Sequence, residues 1–332
     1  MQNYLITAGS LIVLAIMILA LIIVKKALSK IQQEIINKNK LIEEYKAVIE
    51  KKSRTVDSLS CLYNEAIETA NIKTGFFIDI THELRTPLNV IISALQLIEQ
   101  KNFLEKKDLE KVKNLLNTIK SNSYSLVRLV NNILDVARSD SRCLDFNPVY
   151  CNIAAIIQDI VRSTAPFAEQ KGIYIFFNSE RKEIYAAIDI EKFEKIVLNL
   201  LSNAIKYIKK GDKVNISIND KNEYVQISVK DNGPGIPENM HSVIFEKFRQ
   251  SGQKLTKVHE GSGIGLSIVK TFVELHNGNV RLVSKENAGA EFIVELPKKQ
   301  YSCKETTVNN YIHDTDNIAR LTAIELSNTR FN

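Results

Sequence analysis

Leu5 to Val24 is a run of twenty residues without a charge, fourteen of them Leu, Ile, Val or Met. At about −0.3 to −0.6 kcal/mol each, those fourteen favour membrane insertion by about 4–8 kcal/mol. Twenty helical residues match a hydrocarbon core of about 30 Å. The amino-terminal flank has no Lys or Arg, and no A-x-A site follows, so a retained transmembrane helix is predicted rather than a cleaved leader. Lys25, Lys26 and Lys30 follow at once, which places residues 1–4 outside and 25–332 in the cytoplasm. After that the pattern becomes heptad. Steps of three and four from Leu28 reach Ile31, Ile35, Ile42, Tyr45, Ile49, Val56, Leu59 and Tyr63, and eleven of the fourteen positions to Lys73 are apolar. This predicts a coiled coil over 25–74.

The stepping continues through Phe77, Ile80 and Leu84, and a second stripe runs from Leu109 through Val112, Leu116, Ile119, Leu126, Val130 and Ile133 to Ala137. With the polar connector Gln100–Lys107 between them, these predict an antiparallel helical hairpin over 75–141. Two stripes cannot be buried by one hairpin, so a homodimeric four-helix bundle is expected. From about residue 145 to 298 the pattern changes again. Helices are predicted at Ile153–Lys171, Ile190–Lys210 and Ser267–Asn277. Strands are predicted at Ile173–Asn178, Val214–Asn219, Tyr224–Lys230, Val280–Ser284 and Ala290–Leu296, the last two as a hairpin. Such a mixture indicates a two-layer α/β sandwich. Residues 300–332 are polar and read as disordered, apart from Ile318–Leu326, which has the pattern of one amphipathic helix.

The net charge of +6 changes one point. Nine basic and five acidic residues lie in 25–60, so most of the excess follows the apolar run, which fits a membrane surface and not a nucleic-acid-binding face. Cys61, Cys143, Cys151 and Cys303 have neither C-x-x-C spacing nor partner histidines, and read as reduced, ordinary cysteines.

Candidate chemistry begins at His82. It is two residues from both Ile80 and Leu84, about 200° around a helix from the apolar seam, so its ring faces water. Glu83 adjoins it, Thr86 is one turn on, and Pro87 removes the amide that would bond the Glu83 carbonyl, predicting a distortion there. In the later domain, Asn199 and Asn203 are four apart and present two amide oxygens on one helix face, a donor type that suits a hard cation. Lys206 and Tyr207 lie just beyond, a cation and a phenol suited to an anionic and a sugar-like group. Asp231 ends a strand before Asn-Gly-Pro-Gly, where Gly233 and Gly235 allow the chain to close over a flat base. Gly261, Gly263 and Gly265 precede a helix starting near Leu266, whose free amides can face phosphate oxygens.

These segments occur in a known order. FFIDITHELRTPLNVI (76–91) resembles the H-box of bacterial membrane sensor histidine kinases, NLLSNAIKY (199–207) the N-box, DNGPGI (231–236) and GSGIGLSIVK (261–270) the two glycine boxes, and IFEKF (244–248) the F-box. Five ordered boxes across about residues 60–298 form a specific signature. The resemblance implies the sandwich shared with gyrase-type and Hsp90-type ATPases, ATP and Mg²⁺ as cofactors, Asn203 first and Asn199 second as metal ligands, and Asp231 reading adenine N6. It implies that His82 accepts the γ-phosphoryl group, that Glu83 fixes the ring's tautomer, and that Thr86 orients water when a partner is dephosphorylated. That partner is an aspartate of a separate response regulator. Arg249–Glu260 is expected to form a lid over ATP, with Phe245 and Phe248 at its base. An ATPase of the same fold without phosphotransfer, or a silent dimeric scaffold, are the alternatives. The intact T-H-E-L-R-T-P argues against the first, and the retained asparagines and glycines against the second.

Overall fold

The computed structural model describes residues 2–100, 109–140, 144–246, 263–298 and 315–327, with the side chains of 2–15, 100, 140 and 315 left aside. The chain divides into two compact units, residues 1–71 and 72–332. Helix α1 spans Gln2–Gln100. Within the first unit the heptad stripe is continuous and, in a single chain, exposed: Leu28, Ile35, Ile42, Ile49 and Val56 all face solvent. Among the described residues no helix is long and apolar enough to cross a membrane. Of the run Leu5–Val24, side chains are described only from Ile16 onward, and those nine are exposed.

In the second unit α1 continues with α2 (Leu109–Asp140). The stripe buried on α1 is Phe76, Ile80, Pro87 and Ala94, with Leu84 partly buried. Within the single chain the buried stripe passes through Phe76, whereas Phe77 faces solvent. Pro87 does not break the helix, which runs on to Gln100 with the proline inside it. The ring sits on the buried stripe, and the expected distortion does not interrupt the helix.

Next come β1 (Val149–Asn152), α3 (Ile153–Gln170), β2 (Tyr174–Ser179), β3 (Tyr185–Ile188) and α4 (Ile190–Tyr207). They are followed by β4 (Lys213–Asp220), β5 (Tyr224–Asp231), α5 (Gly265–Leu275), β6 (Asn279–Ser284), β7 (Ala290–Pro297) and α6 (Thr315–Glu325). Five strands form one mixed sheet in the order β2-β4-β5-β7-β6. β2 pairs β4 in parallel and the other pairs are antiparallel. Alternation does the sorting. Val214, Ile216 and Ile218 on β4, Val225, Ile227 and Val229 on β5, and Phe292, Val294 and Leu296 on β7 point to the helices and are buried. Phe193 of α4 and Phe272 of α5 fill the layer between.

Local polar groups fix the ends. Asn152 caps α3, its Oδ1 accepting from the amides of Ala154 at 3.2 Å and Ile184 at 3.1 Å, which also ties β3 to the helix start. Asp189 caps α4 and accepts from the Asn147 amide at 3.0 Å and the Lys192 ammonium at 2.7 Å. His276 closes the same corner. Its Nδ1–H donates to the Phe272 carbonyl at 2.7 Å, and its Nε2 accepts from the Asp189 amide at 3.0 Å.

The short antiparallel pair β1–β3 was not predicted. In the tail, the amphipathic helix expected at Ile318–Leu326 is present as α6, which occupies Thr315–Glu325 and buries Ile318, Ile324 and Leu326. Its order comes from packing against α2, α3 and α4, which local composition does not encode.

Candidate functional site

His82 lies on α1 with its side chain exposed, opposite the buried positions Ile80 and Leu84. Thr86, one turn on and also exposed, donates its hydroxyl to the His82 carbonyl at 3.2 Å. Glu83 is half-buried on the same turn. An imidazole held outside the core on a rigid helix keeps a ring nitrogen available as a nucleophile, and nothing in the fold requires it for packing.

A second cluster forms where α4, the β5–loop junction and the start of α5 meet. Asn199 is buried, and its Nδ2 donates to the Lys195 carbonyl at 2.9 Å, one turn back. Its amide oxygen is turned toward α5, where a Cβ on Gly265 would stand 2.8 Å from it. Only a glycine leaves that oxygen its place. Asn203, half-buried, follows one turn later on the same face. Lys206 is half-buried with its ammonium 5.2 Å from the centre of the exposed Tyr207 ring, so α4 ends in a cation lying over a phenol. The helix ends at Tyr207, three residues short of the expected Lys210.

Asp231 is the last residue of β5. Its Oδ1 accepts from the amides of Gly233 at 2.9 Å and Ala290 at 3.3 Å. Burial pushes its carboxyl above the ordinary range; the two amides oppose this and the charge of Asp212 adds to it. Gly235 has φ of +70°, and a Cβ there would fall 2.1 Å from the Lys285 carbonyl oxygen, so the position admits no other residue without moving backbone. Gly233 is tight as well, with Ile208 Cγ2 2.7 Å from the place of a Cβ.

The turn between β6 and β7 supports this loop, a role for which the sequence reading had no signal. The Asn287 amide donates to the Pro234 carbonyl at 2.6 Å. Ser284 Oγ accepts from the Ile236 amide at 2.9 Å and donates to the Gly289 carbonyl at 2.8 Å. Gly289, at φ +86°, would place a Cβ 2.1 Å from the Asp231 carbonyl oxygen. The small residues Ala288-Gly289-Ala290 between two strands were the one available hint.

α5 begins at Gly265, with Leu266 in its first turn, and no side chain caps it. Gly263 before it has φ of +64°. Uncapped first-turn amides of an eleven-residue helix form a site for anionic oxygens. Phe245 packs edge-on against Phe292 of β7, centroids 6.1 Å apart, and is anchored in the core. Phe248, the expected lid Arg249–Glu260 and Gly261 lie outside the described residues.

The donor set suits a magnesium-bound nucleoside triphosphate. Asn199 commits its amide nitrogen to the backbone and keeps its oxygen, the atom a hard cation takes. Asp231 commits one oxygen to the loop and keeps the other.

Residues 72–142 match the model of the His Kinase A (phospho-acceptor) domain, and residues 188–300 that of the Histidine kinase-, DNA gyrase B-, and HSP90-like ATPase. Hybrid signal transduction histidine kinase D of Dictyostelium discoideum is 35% identical over 252 residues, 74% of this chain and 16% of that protein. Sensor histidine kinase TmoS of Ectopseudomonas mendocina is 35% identical over 229 residues, 68% of this chain and 23% of that protein. Full-length ShkA in complex with AMPPNP superposes with a TM-score of 0.51 at 26% identity, over 66% of this chain and 45% of that one. The chain spans about a fifth of the length of these two curated relatives.

Proposed function

We propose a mechanism for a chain whose two matched domains place it among the histidine kinases of two-component systems: it autophosphorylates His82 from ATP and passes the group to an aspartate of a separate response regulator. The observation that carries this reading is the exposed His82, opposite the buried stripe of the phosphoacceptor domain, in a chain that also holds an adenine- and phosphate-compatible cleft.

Asp231 accepts a hydrogen bond from the exocyclic amine of adenine through the carboxylate oxygen that the loop leaves unused, and Gly233 and Gly235 let the backbone approach the base. The amides of Gly265 and Leu266, with those of Gly261 and Gly263, receive phosphate oxygens; Lys206 and Tyr207 serve phosphate and ribose. Asn203 and Asn199 would hold Mg²⁺, which when bound neutralises charge across the phosphates. One ring nitrogen of His82 attacks the γ-phosphorus, a P–N bond forms, and the bond to the ADP oxygen breaks. Glu83 accepts a hydrogen bond from the other ring nitrogen, fixing the tautomer and taking up the proton as the phosphoramidate forms. Thr86, hydrogen-bonded beside His82, orients water for dephosphorylation of the response regulator.

The exposed stripes of α1 and α2, including Leu88, Leu95, Leu116, Val130 and Leu134, support a homodimer that buries them in a four-helix bundle. The apolar run Leu5–Val24 followed by Lys25, Lys26 and Lys30 supports a single membrane anchor with the catalytic part in the cytoplasm.

The test is incubation of the full chain, in detergent or vesicles, with γ-labelled ATP and Mg²⁺. The expected result is acid-labile, base-stable label that disappears in His82→Ala. An ATPase without transfer would release phosphate and leave the protein unlabelled, and a silent scaffold would do neither. Label persisting in His82→Ala would remove the assignment.

A further inference from the structure

The polar tail ends in a helix that is buried more deeply than its composition suggests. Ile318, Thr322, Ile324, Glu325, Leu326 and Ser327 are all buried. α6 packs against α2 on one side and against α3 and α4 of the sandwich on the other. Polar contacts tie it to both. Ser125 of α2 donates to Ser327 Oγ at 3.1 Å, and Ser202 of α4 donates to the Glu325 carbonyl at 3.1 Å. Arg128 of α2 reaches that same carbonyl at 3.5 Å. Alongside, Lys195 of α4 pairs directly with Asp135 of α2 at 3.0 Å, both side chains largely buried. α2 and α4 are thus joined twice, once by an ion pair and once through α6.

This junction lies on the helix of the nucleotide site. At about 100° per residue, Lys195, Asn199, Ser202 and Asn203 fall within about 100° of arc on α4. The residues that hold α6 and α2 therefore share a face with the two candidate cation ligands, and Asn199 is itself bonded to the Lys195 carbonyl. The braces on the other side are all on α2, while His82 on α1 stays exposed.

The docking is also built to be reversible. Arg128 Nε, Thr322 Oγ1 and Glu325 Oε2 are buried there without a hydrogen-bond partner among the described residues. Burial pushes the Glu325 carboxyl upward, against Arg128 and Lys195 and with Asp135. Each unmatched group cancels part of what the apolar residues of α6 return on burial.

We propose that α6 is an intramolecular clasp that holds the ATP-binding domain on α2 with His82 uncovered, and that phosphoryl transfer to His82 requires its release. The clasp rests on the reading of His82 as the acceptor. Its test uses the full chain. In Ser125→Cys/Ser327→Cys an oxidised cross-link locks the clasp. Labelling of His82 is expected to slow by at least about fivefold, the lower end of coupling between sites, and to recover with dithiothreitol, while the wild-type chain is unchanged by the same treatment. Ile318→Asp/Leu326→Asp, which cannot bury α6, is expected to label several-fold faster with its affinity for a fluorescent ADP analogue unchanged. A cross-linked chain labelled as fast as the reduced one, or slower labelling in the aspartate variant, overturns the clasp. If the wild-type chain takes no label at all, the His82 reading fails instead. Amide exchange across residues 315–327 then judges the clasp: protection in the free chain that falls on adding ATP and Mg²⁺ supports it, and exchange indifferent to nucleotide overturns it.

Discussion

Asp231→Asn separates the loop-holding role that Asp231 shows from the base-reading role proposed for it. Oδ1 accepts from the amides of Gly233 and Ala290, while Oδ2 has no partner among the described residues and is the atom that the proposed function assigns to the base. An asparagine can keep its carbonyl oxygen in the first role and then presents an NH₂ where the carboxylate oxygen was. Adenine N6 is also a donor, so an attractive contact becomes donor against donor. A hydrogen bond to a charged group contributes about 1.5–3 kcal/mol, so ATP affinity should fall about 10- to 150-fold at 1.4 kcal/mol per decade. The fold should not suffer, because the loop bonds persist and the carboxylate charge that burial already disfavours is gone. Guanine carries an acceptor at the position of N6, so GTP should lose less than ATP or gain. Calorimetric titration of both nucleotides into the wild-type and variant chains, with melting temperatures alongside, reads all three quantities. ATP affinity within about twofold of wild type, combined with a melting temperature lower by several degrees, would mean that Asp231 holds the turn and does not read the base.

Gly235→Ala should cost at least about 2 kcal/mol in urea unfolding, from the left-handed backbone and the close Lys285 carbonyl together; a loss under about 0.5 kcal/mol would contradict the geometry. Gly265→Ala should behave in the opposite way. Helix propensity favours alanine by up to about 1 kcal/mol, but its Cβ displaces the Asn199 oxygen, so melting should hold or rise while affinity for ATP with Mg²⁺ drops about tenfold. His276 is held below its ordinary pKa by burial, opposed by the Phe272 carbonyl and Asp189, with Lys192 adding to the depression. The folded state therefore binds its proton less readily than the unfolded chain. The associated stability is complete above the ordinary value of about 6.5 and is lost as pH falls below it, at up to about 1.4 kcal/mol per unit. Melting from pH 7.5 to 5.5 should show that slope, and His276→Gln should flatten it; equal slopes would locate the titration elsewhere.

The strands of the sandwich were legible because β4 and β5 alternate strictly and β7 does so apart from Ile293, and one face of each is buried against helices. β1 and β3 were not, since four residues each give period two no room to show itself. On α1 the period was legible, but which of the equally apolar Phe76 and Phe77 packs within the chain was not, because only packing chooses Phe76. Pro87 was read for the hydrogen bond it removes, whereas its ring lies on the stripe that the helix buries. In the site, Asn199, Gly233, Gly235 and Gly265 stood out by spacing, but Ser284 and Gly289 did not. Their part is to hold the Asp231 loop from across the sheet, and that partnership between residues 231–236 and 284–290 exists only once β5, β6 and β7 are laid side by side.

The same distinction separates chemistry from control. The groups assigned to the nucleotide fall in short runs, each on one loop or one or two helix turns, so each run leaves a local pattern that a reader can find. Lys195 and Asp135, or Ser202 and the Glu325 carbonyl, are 60 and 123 residues apart. No spacing rule links them, and each residue alone reads as an ordinary surface group. Yet α4 brings both kinds onto one face, with Lys195 receiving the brace from α2 and its carbonyl holding Asn199 one turn further on. A change that moves α4 relative to α2 breaks the ion pair, whereas the bond from Asn199 to the Lys195 carbonyl lies within α4 and moves with it. On this geometry the domain can leave α2 with the Asn199 anchor intact, which is why nucleotide affinity is expected to survive loss of the α6 clasp.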